Sequence, residues 1–433
     1  MTVPILDWKT LDATGRRAAL ARAAADRPDI ADVARGLAAD VRRGGDAAVR
    51  ELTRRFDGIV LEDFAVSPSE LARARGALNA EQIAAIERAI ENVTCFHAAQ
   101  MPQPFDLETM PGVRCERLIR PIDAVGLYVP AGSAPLPSTA IMLAVPALIG
   151  GCPRRILCTP PAKDGAANAA VLVAAQLCGV SEIYKVGGVQ AIAAMAYGTE
   201  TIPKVDKIFG PGNAWVTAAK QIVAEDADGA ACDLPAGPSE VMVLADDAAH
   251  PELVAADLLA QAEHDPLAQA LLVTTSPALA ARVAQAIEHQ LATLSRRAVL
   301  EKSLANCRCI VVSDVRTAIA VANQYAAEHL ILQLREPRRW LPQIRNAGSV
   351  FLGEWSPEAI GDYCSGANHV LPTYGHARAR SGLSVADFVK CITAQELTAA
   401  GLKALGPTAV TLAQLEGLDA HAASVTRRLE ALP

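Results

Sequence analysis

From Pro121 onward, short β-branched runs alternate with alanine-rich stretches of helical length, and this alternation restricts the fold more than any other feature. AVGLYV (124–129), RRILCT (154–159), EIYKVG (182–187) and DKIFG (206–210) read as strands. Each is followed by a helical pattern: TAIMLAVPALIG, NAAVLVAAQLCG, VQAIAAMAYG and NAWVTAAKQIVAE. After the loop CDLPAGPSE the pattern resumes with EVMVLA, QALLVTT, CRCIVVS, HLILQL and GSVFLG, separated by helices near 251–263, 277–292, 314–327 and 336–346. These strands are continuously apolar, as they are in parallel sheets covered by helices on both faces. The units are too many for one sheet. The expected class is α/β, with two consecutive Rossmann-like doubly wound domains of similar build that divide at the Pro/Gly-rich loop 234–239.

The flanks read as helical extensions. In RPDIADVARGLAADVRRGG, Ile30, Val33, Leu37 and Val41 fall on one helical stripe. The segment after about Ser381 reads as three short helices broken at Gly401, Gly406-Pro407 and Gly417. Its apolar surface is too small to fold alone, so it must pack on its own body or on another subunit.

At 433 residues the chain can build two or three domains with real cores. It is 51% hydrophobic and 20% charged, which excludes disorder as its main state. The net charge of −7 and thinly spread basic residues give no footprint for nucleic acid; REPRRW at 335–340, the densest basic cluster, reads as a solvated helix start. Ten cysteines occur without a CxxC pair, the closest being Cys307 and Cys309. That pattern suits reduced, buried thiols better than a disulfide scaffold or a thiolate zinc site. The N-terminus lacks the apolar core of a secretory signal, and the uncharged stretch 165–181 is too short to span a bilayer. A cytoplasmic protein, without membrane or nucleic-acid partners, is expected.

Seven polar residues in the C-terminal half stand out from their surroundings. Gln261 and His264, in LLAQAEHDPL, are three apart on an expected helix and face the same way. Glu328 and His329 interrupt an apolar helix-to-strand junction, the kind of place where α/β proteins bind ligands. Histidine accepts a proton near neutrality, and a neighbouring glutamate can act as a second base. Asp362 lies in the glycine-rich loop GDYCSGANHVLPT, which also carries His369. Glu416 ends one tail helix and His421 falls in the first turn of the next, with Asp419 as its expected cap. Each also has an ordinary reading: a helix-end histidine, a capping glutamate, a turn aspartate, a solvated helix–turn–helix. Together, histidines beside acids and an amide can hold a divalent metal and leave an acid–base pair free.

The first α/β half offers glycine turns instead. KVGGVQAIAAMA and KIFGPGNAWVTAAK each read strand, glycine turn, helix, so free amides at a helix N-terminus can face a ligand. Neither completes GxGxxG, because Trp215 stands where the third glycine would fall. There is no P-loop lysine pattern and no GxSxG, and Cys232 has no histidine nearby in sequence.

Taken together, GLYVPAGSAPLPSTAIM, VGGVQAIAAMAYGTE, VDKIFGPGNAWV, DLPAGPSEV, LLAQAEHDP, AAEHLIL and GSVFLGEWSPEAIGDYCSGANHVLPTYG resemble the histidinol dehydrogenase family, in order, from about Ile30 to the C-terminus. The resemblance implies zinc-dependent oxidation of L-histidinol to L-histidine through the aldehyde, reducing two NAD⁺. Gln261, His264, Asp362 and His421 resemble the ligands of one zinc per subunit, with His329 also touching substrate. His329 resembles the base that takes the hydroxyl proton, and Glu328 the base that activates water on the aldehyde. Ser239 and Glu416 resemble further substrate contacts; Tyr128, Gln190 and Asn213 resemble NAD contacts. The resemblance also implies a homodimer in which residues 381–433 reach the partner's site. It divides the rest into an N-terminal extension (1–25), a substrate and zinc domain (26–120 with 235–380) and an NAD domain (121–234). Two departures are visible: Ala131 in YVPAG, where the family more often has glycine, and Asp265 after His264, where it often has glycine. The alternative is a paralogous zinc/NAD dehydrogenase acting on another primary alcohol. A zinc hydrolase using Glu328 would have no need of the glycine turns.

Overall fold

The computed structural model describes residues 3–23, 30–131, 134–234 and 237–432. Strand β1 (Ile5–Asp7) is followed by helices Ala13–Ala19, Ile30–Phe56, Pro68–Gly76 and Ala80–Ala98, then by β2 (Phe105–Met110) and β3 (Val113–Pro121). The first α/β unit holds β4 (Ala124–Tyr128), β5 (Arg154–Cys158), β6 (Glu182–Tyr184), β7 (Lys207–Phe209) and β8 (Ala231–Cys232). The second holds β9 (Glu240–Ala245), β10 (Gln269–Thr274), β11 (Arg308–Val311), β12 (His329–Gln333) and β13 (Ser349–Leu352). After them come β14 (Val389–Leu397) and helices Ala399–Leu415 and Asp419–Glu430.

Both units are parallel and wound alike. The first sheet runs β6-β5-β4-β7-β8 and the second β1-β11-β10-β9-β12-β13. In each, the first strand of the unit is central, the next two step out to one side, and the last two step out to the other. This is the doubly wound order with its switch point beside the first strand. Apolar clusters cover both faces of each sheet, as expected for strands as uniformly apolar as EVMVLA and QALLVT.

The structure adds to the sequence reading in several places. The helices of 30–98 lie mainly against the first unit, although Asn92 of Ala80–Ala98 donates to the Cys364 carbonyl at 2.8 Å. Ile30–Phe56 packs on the helices Gly188–Tyr197 and Ala214–Glu225, and the other two pack on Pro137–Ile149 and Ala169–Leu177. The reason lies in the covered helices: Ser138 to Ala147 and Val189 to Ala196 are buried without interruption, and a helix apolar all round needs protein on its outer face too. On Ile30–Phe56 the buried stripe takes Ala34 in place of Val33, which is exposed. The N-terminal extension, in turn, is part of the second sheet, since β1 pairs with β11 from Ile5↔Cys309 to Asp7↔Val311.

The tail is not wholly helical. β14 pairs antiparallel with β3 from Val389↔Pro121 to Leu397↔Val113, and β2 completes a three-stranded sheet. The helix after it runs unbroken through Gly401, Gly406 and Pro407, and the only break before the last helix is at Gly417 (φ 71°). Gly406 has no Cβ to clash with the following proline ring, which eases a helical conformation there. The helix begins where Gly401 rests against Gly112, so closely that a Cβ on Gly401 would strike the Gly112 carbonyl. The two tail helices pack mainly on each other, and Ala399–Leu415 meets β14. No described helix is long and apolar enough to cross a membrane.

Candidate active site

Glu240 opens β9 and His329 opens β12, so the conspicuous polar residues gather at the amino ends of the central strands of the second sheet. α/β proteins more often use the carboxyl ends. Here helices Pro251–Ala262 and Val315–Tyr325 run into the site by their C-termini, and their negative ends favour a cation. Gln261 lies in the last turn of the former, and His264 just beyond it at the solvent rim. Val315–Tyr325 is ended by Ala326 in the left-handed conformation (φ 58°), which turns the chain so that Glu328 and His329 both enter the buried edge.

His329 is flanked by acidic groups at both ring nitrogens, more loosely at Nε2. Its Nδ1 lies 3.2 Å from the Glu240 carbonyl and 3.4 Å from Glu358 Oε1. Those acceptors favour a proton on Nδ1, whereas the Gln261 amide nitrogen, 3.0 Å from the same atom, favours its lone pair, so the two sets of neighbours pull toward different tautomers. Nε2 lies 3.5 Å from Asp362 Oδ1, buried and without a hydrogen bond. Glu328 accepts from the Glu240 N–H at 2.8 Å and stands 3.9 Å from His329 Nδ1. The Gln261 amide is satisfied when its nitrogen faces Glu358 Oε1 (2.7 Å), His329 Nδ1 (3.0 Å) and the Glu240 carbonyl (3.3 Å), which turns its oxygen the other way. Ligand atoms of His264, Glu358 and Asp362 all lie within 4.8 Å of one another.

Burial and mutual charge set the protonation states. Burial pushes Glu328 up to about 8, against the pull of His329 and the Glu240 N–H. Burial likewise raises Glu358. For His329 burial works downward, but Glu358, Glu328 and Asp362 outweigh it and carry the imidazole up to about 10. Asp362 is desolvated, yet its contact with His329 holds it below the usual carboxylate range. His369 is half-buried, its Nε2 has no hydrogen bond, and burial lowers its pKa.

The expected nucleotide contacts lie at the other edge of the other sheet. Tyr128 ends β4, buried, and its hydroxyl accepts from Gly188 N at 3.1 Å. Gly188 has φ 65°, a conformation that suits glycine and exposes the first turn of helix Gly188–Tyr197. Gln190 in that turn donates to Asp57 Oδ2 at 3.4 Å. Asn213 caps Ala214–Glu225, accepting from Trp215 N (3.1 Å) and Val216 N (3.2 Å), so its amide nitrogen stays available. Tyr128 and Asn213 follow β4 and β7, the strands flanking the switch point.

Ser239 directly precedes Glu240 and is half-buried. Glu416 and His421 are elsewhere. They are exposed and line a groove of about 620 Å³ between the tail helices, with Leu412, Ala413, Leu418 and Val425. Glu416 ends the first helix and His421 lies in the first turn of the second, as the sequence suggests, although Leu418 rather than Asp419 is the cap.

Residues 20–429 match the sequence profile described as histidinol dehydrogenase. Histidinol dehydrogenase of Xanthomonas euvesicatoria pv. vesicatoria is 55% identical over 98% of this chain and 99% of its own length. That of Vibrio parahaemolyticus is 52% identical, with 98% of each chain covered. The crystal structure of histidinol dehydrogenase from Elizabethkingia anophelis superposes with a TM-score of 0.95 at 43% identity, covering 99% of this chain and 98% of that one. The chain belongs to the histidinol dehydrogenase family. Histidinol dehydrogenases are NAD-dependent oxidoreductases acting on a CH–OH group.

Of the site residues expected from the histidinol dehydrogenase strings, the structure brings together Gln261, His264, Glu328, His329 and Asp362, with Ser239 close by in the chain. His421 is not among the groups that cluster with His264 and Asp362 within this chain. Asp265 proves to be a turn residue, exposed and accepting from Leu267 N at 2.8 Å. Glu358 was missed. In WSPEAIGDY it reads as a helix-start carboxylate, and only its spacing of four residues before Asp362 hinted that both share a helix face.

Proposed function

We propose that this chain is a zinc-dependent histidinol dehydrogenase that oxidises L-histidinol through L-histidinaldehyde to L-histidine in two NAD-linked steps. The observation that supports this reading is the pairing of two buried bases at one strand end: His329, whose Nε2 faces Asp362 Oδ1 at 3.5 Å without a hydrogen bond, and Glu328, 3.9 Å from His329 Nδ1. In the first step His329 takes the hydroxyl proton at Nε2 as hydride leaves carbon for the nicotinamide. In the second, Glu328 removes a proton from water attacking the aldehyde, and the hydrate loses its hydride.

The donor set fits a divalent cation. Three carboxyl groups crowd His329, and burial holds Glu328 and Glu358 toward the neutral form. A 2+ charge nearby would stabilise those carboxylates in ionised form and draw His329 down toward the neutral form a base needs. Gln261, His264 and Asp362 would hold zinc from one subunit and His421 from its partner. Bound there, zinc supplies a clamp for the substrate's imidazole and amino nitrogens. Two separate protein bases suit a clamp better than a metal that itself lowers the alcohol pKa.

Ser239 and Glu416 would complete the substrate contacts, and Tyr128, Gln190 and Asn213 would hold NAD at the helix N-termini. A homodimer with shared sites belongs to this reading, and the exposure of Glu416 and His421 in a groove of the tail supports it. The test is to add L-histidinol and NAD⁺ to zinc-replete enzyme. Two NADH per histidinol consumed are expected. A single NADH per substrate would leave only an alcohol dehydrogenase, and none would remove the reading.

A further inference from the structure

We propose that Arg22 is a positioning residue for Glu328 and His329, acting through Glu240; the inference rests on the catalytic roles given to those two bases above. Arg22 lies on the N-terminal arm, remote in sequence from both and touching neither. Its guanidinium grips the buried Glu240 carboxylate with two nitrogens, Nε on Oε1 and Nη2 on Oε2 at 2.9 Å. It stacks on the Tyr325 ring at 4.0 Å and donates to the Tyr325 carbonyl at 2.8 Å. Tyr374 N donates to Glu240 Oε1 at 3.0 Å, and the Tyr374 hydroxyl donates to the Ala23 carbonyl. Gln269 joins the same unit, donating to the Ala21 carbonyl at 2.9 Å and accepting from the Tyr325 hydroxyl at 2.5 Å.

Glu240 faces two ways. Its side chain belongs to Arg22, while its main chain belongs to the bases: the N–H donates to Glu328 at 2.8 Å and the carbonyl receives His329 Nδ1 at 3.2 Å. The rotation of residue 240 therefore sets where both bases point, and the bidentate pair fixes that rotation. Backbone strain marks the same place. Among the described residues, Ala326 (φ 58°) and Tyr374 (φ 55°) are the non-glycine positions with positive φ. One is the turn that delivers Glu328 and His329; the other donates to Glu240. Conformations of this kind persist where the surroundings over-determine them, and here Arg22 and Glu240 tie both turns together.

A purely structural ion pair would cost thermal stability and leave turnover of the folded enzyme unchanged. A positioning role predicts more. Arg22→Met should lower kcat by about 10²-fold, the scale expected when reacting groups shift by about an ångström. KM for L-histidinol and bound zinc should stay within about twofold of wild type, because Arg22 contacts neither the ligands nor the substrate pocket. Arg22→Lys keeps the charge but not the two-point grip, and should recover only part of the rate. With L-histidinaldehyde as the starting substrate the rate should fall as well, since Glu328 depends on the Glu240 N–H as His329 depends on its carbonyl. If Arg22→Met fails to fold, Arg22→Lys carries the test. A folded Lys variant with wild-type kcat in both steps would overturn the proposal alone. Failure of the wild-type enzyme to reduce NAD⁺ with L-histidinol would overturn the functional reading, and the proposal with it.

Discussion

Glu328 and His329 are sequence neighbours in similar surroundings, and their different hydrogen bonds suit the separate tasks proposed for them. His329 lies between the Glu240 carbonyl and Asp362 and is raised to about 10 by the acids around it, whereas Glu328 is tied to an N–H and raised to about 8 by burial. Glu328→Gln keeps the shape and the N–H bond but cannot take a proton. It should therefore slow oxidation of L-histidinaldehyde by about 10²–10⁴-fold, the usual weight of a general base, and spare the alcohol step. Separate single-turnover measurements of the two steps check this, and equal losses in both would remove the role assigned to Glu328. At this scale the sequence was informative where a polar pair broke an apolar run, as at Ala327-Glu328-His329-Leu330. It was silent on Glu358 and Glu240, because a carboxylate at the start of a helix or strand looks ordinary until the fold closes around it. Arg22 was out of reach for the same reason: its partner stands 218 positions away.

The helix Pro251–Ala262 brings Gln261 to the site and carries Asp257 one turn earlier, buried and accepting from Gln333 Nε2 at 3.0 Å. Burial pushes Asp257 up to about 6 from its ordinary value of 3.8. A raised folded pKa means that the folded protein holds this proton more tightly than the unfolded chain. The contribution to stability is complete below about pH 4 and is lost as pH climbs through about 6, amounting to about 2–3 kcal/mol. Asp257→Asn has no proton to lose. Its stability relative to wild type should rise between about pH 4.5 and pH 7, read from urea midpoints at several pH values. A difference between the two proteins that stays constant with pH would show that Asp257 does not titrate as described. Elements such as this helix were legible because an alanine- and leucine-rich run opens on Pro251 and lies between two apolar strands. β14 was not: Val389, Ile392 and Thr393 are β-branched, but the segment is mostly exposed, and its strand character comes from the long pairing with β3. The packing of the helices of 30–98 was hidden for a related reason, since an amphipathic stripe says that a helix is covered without saying by what.

At the scale of the whole molecule, the two sheets share one winding order and expose opposite edges: helix N-termini toward the expected nucleotide, helix C-termini toward the expected cation. The duplicated build could be read from the alternation of strands and helices, whereas the choice of edge could not, because winding order is the same whichever edge is used. If the tail completes the partner's site, two inactive variants can rescue each other. His329→Asn spoils the body and His421→Asn spoils the tail, so a mixed dimer retains one intact site. Unfolding and refolding an equal mixture should restore about a quarter of wild-type activity, because about half the dimers are mixed and each has one good site. Activity no greater than that of the separate variants would place His421 in its own subunit's site or in none. Such sharing depends on the joint at Gly112 and Gly401, where only bare backbone fits. The tail helix is a lever about 22 Å long from that joint to Glu416, so a tilt of about 10° there would swing its tip by about 4 Å. A single methyl group at the fulcrum could thus unseat a carboxylate fifteen residues away while leaving every contact inside the body intact.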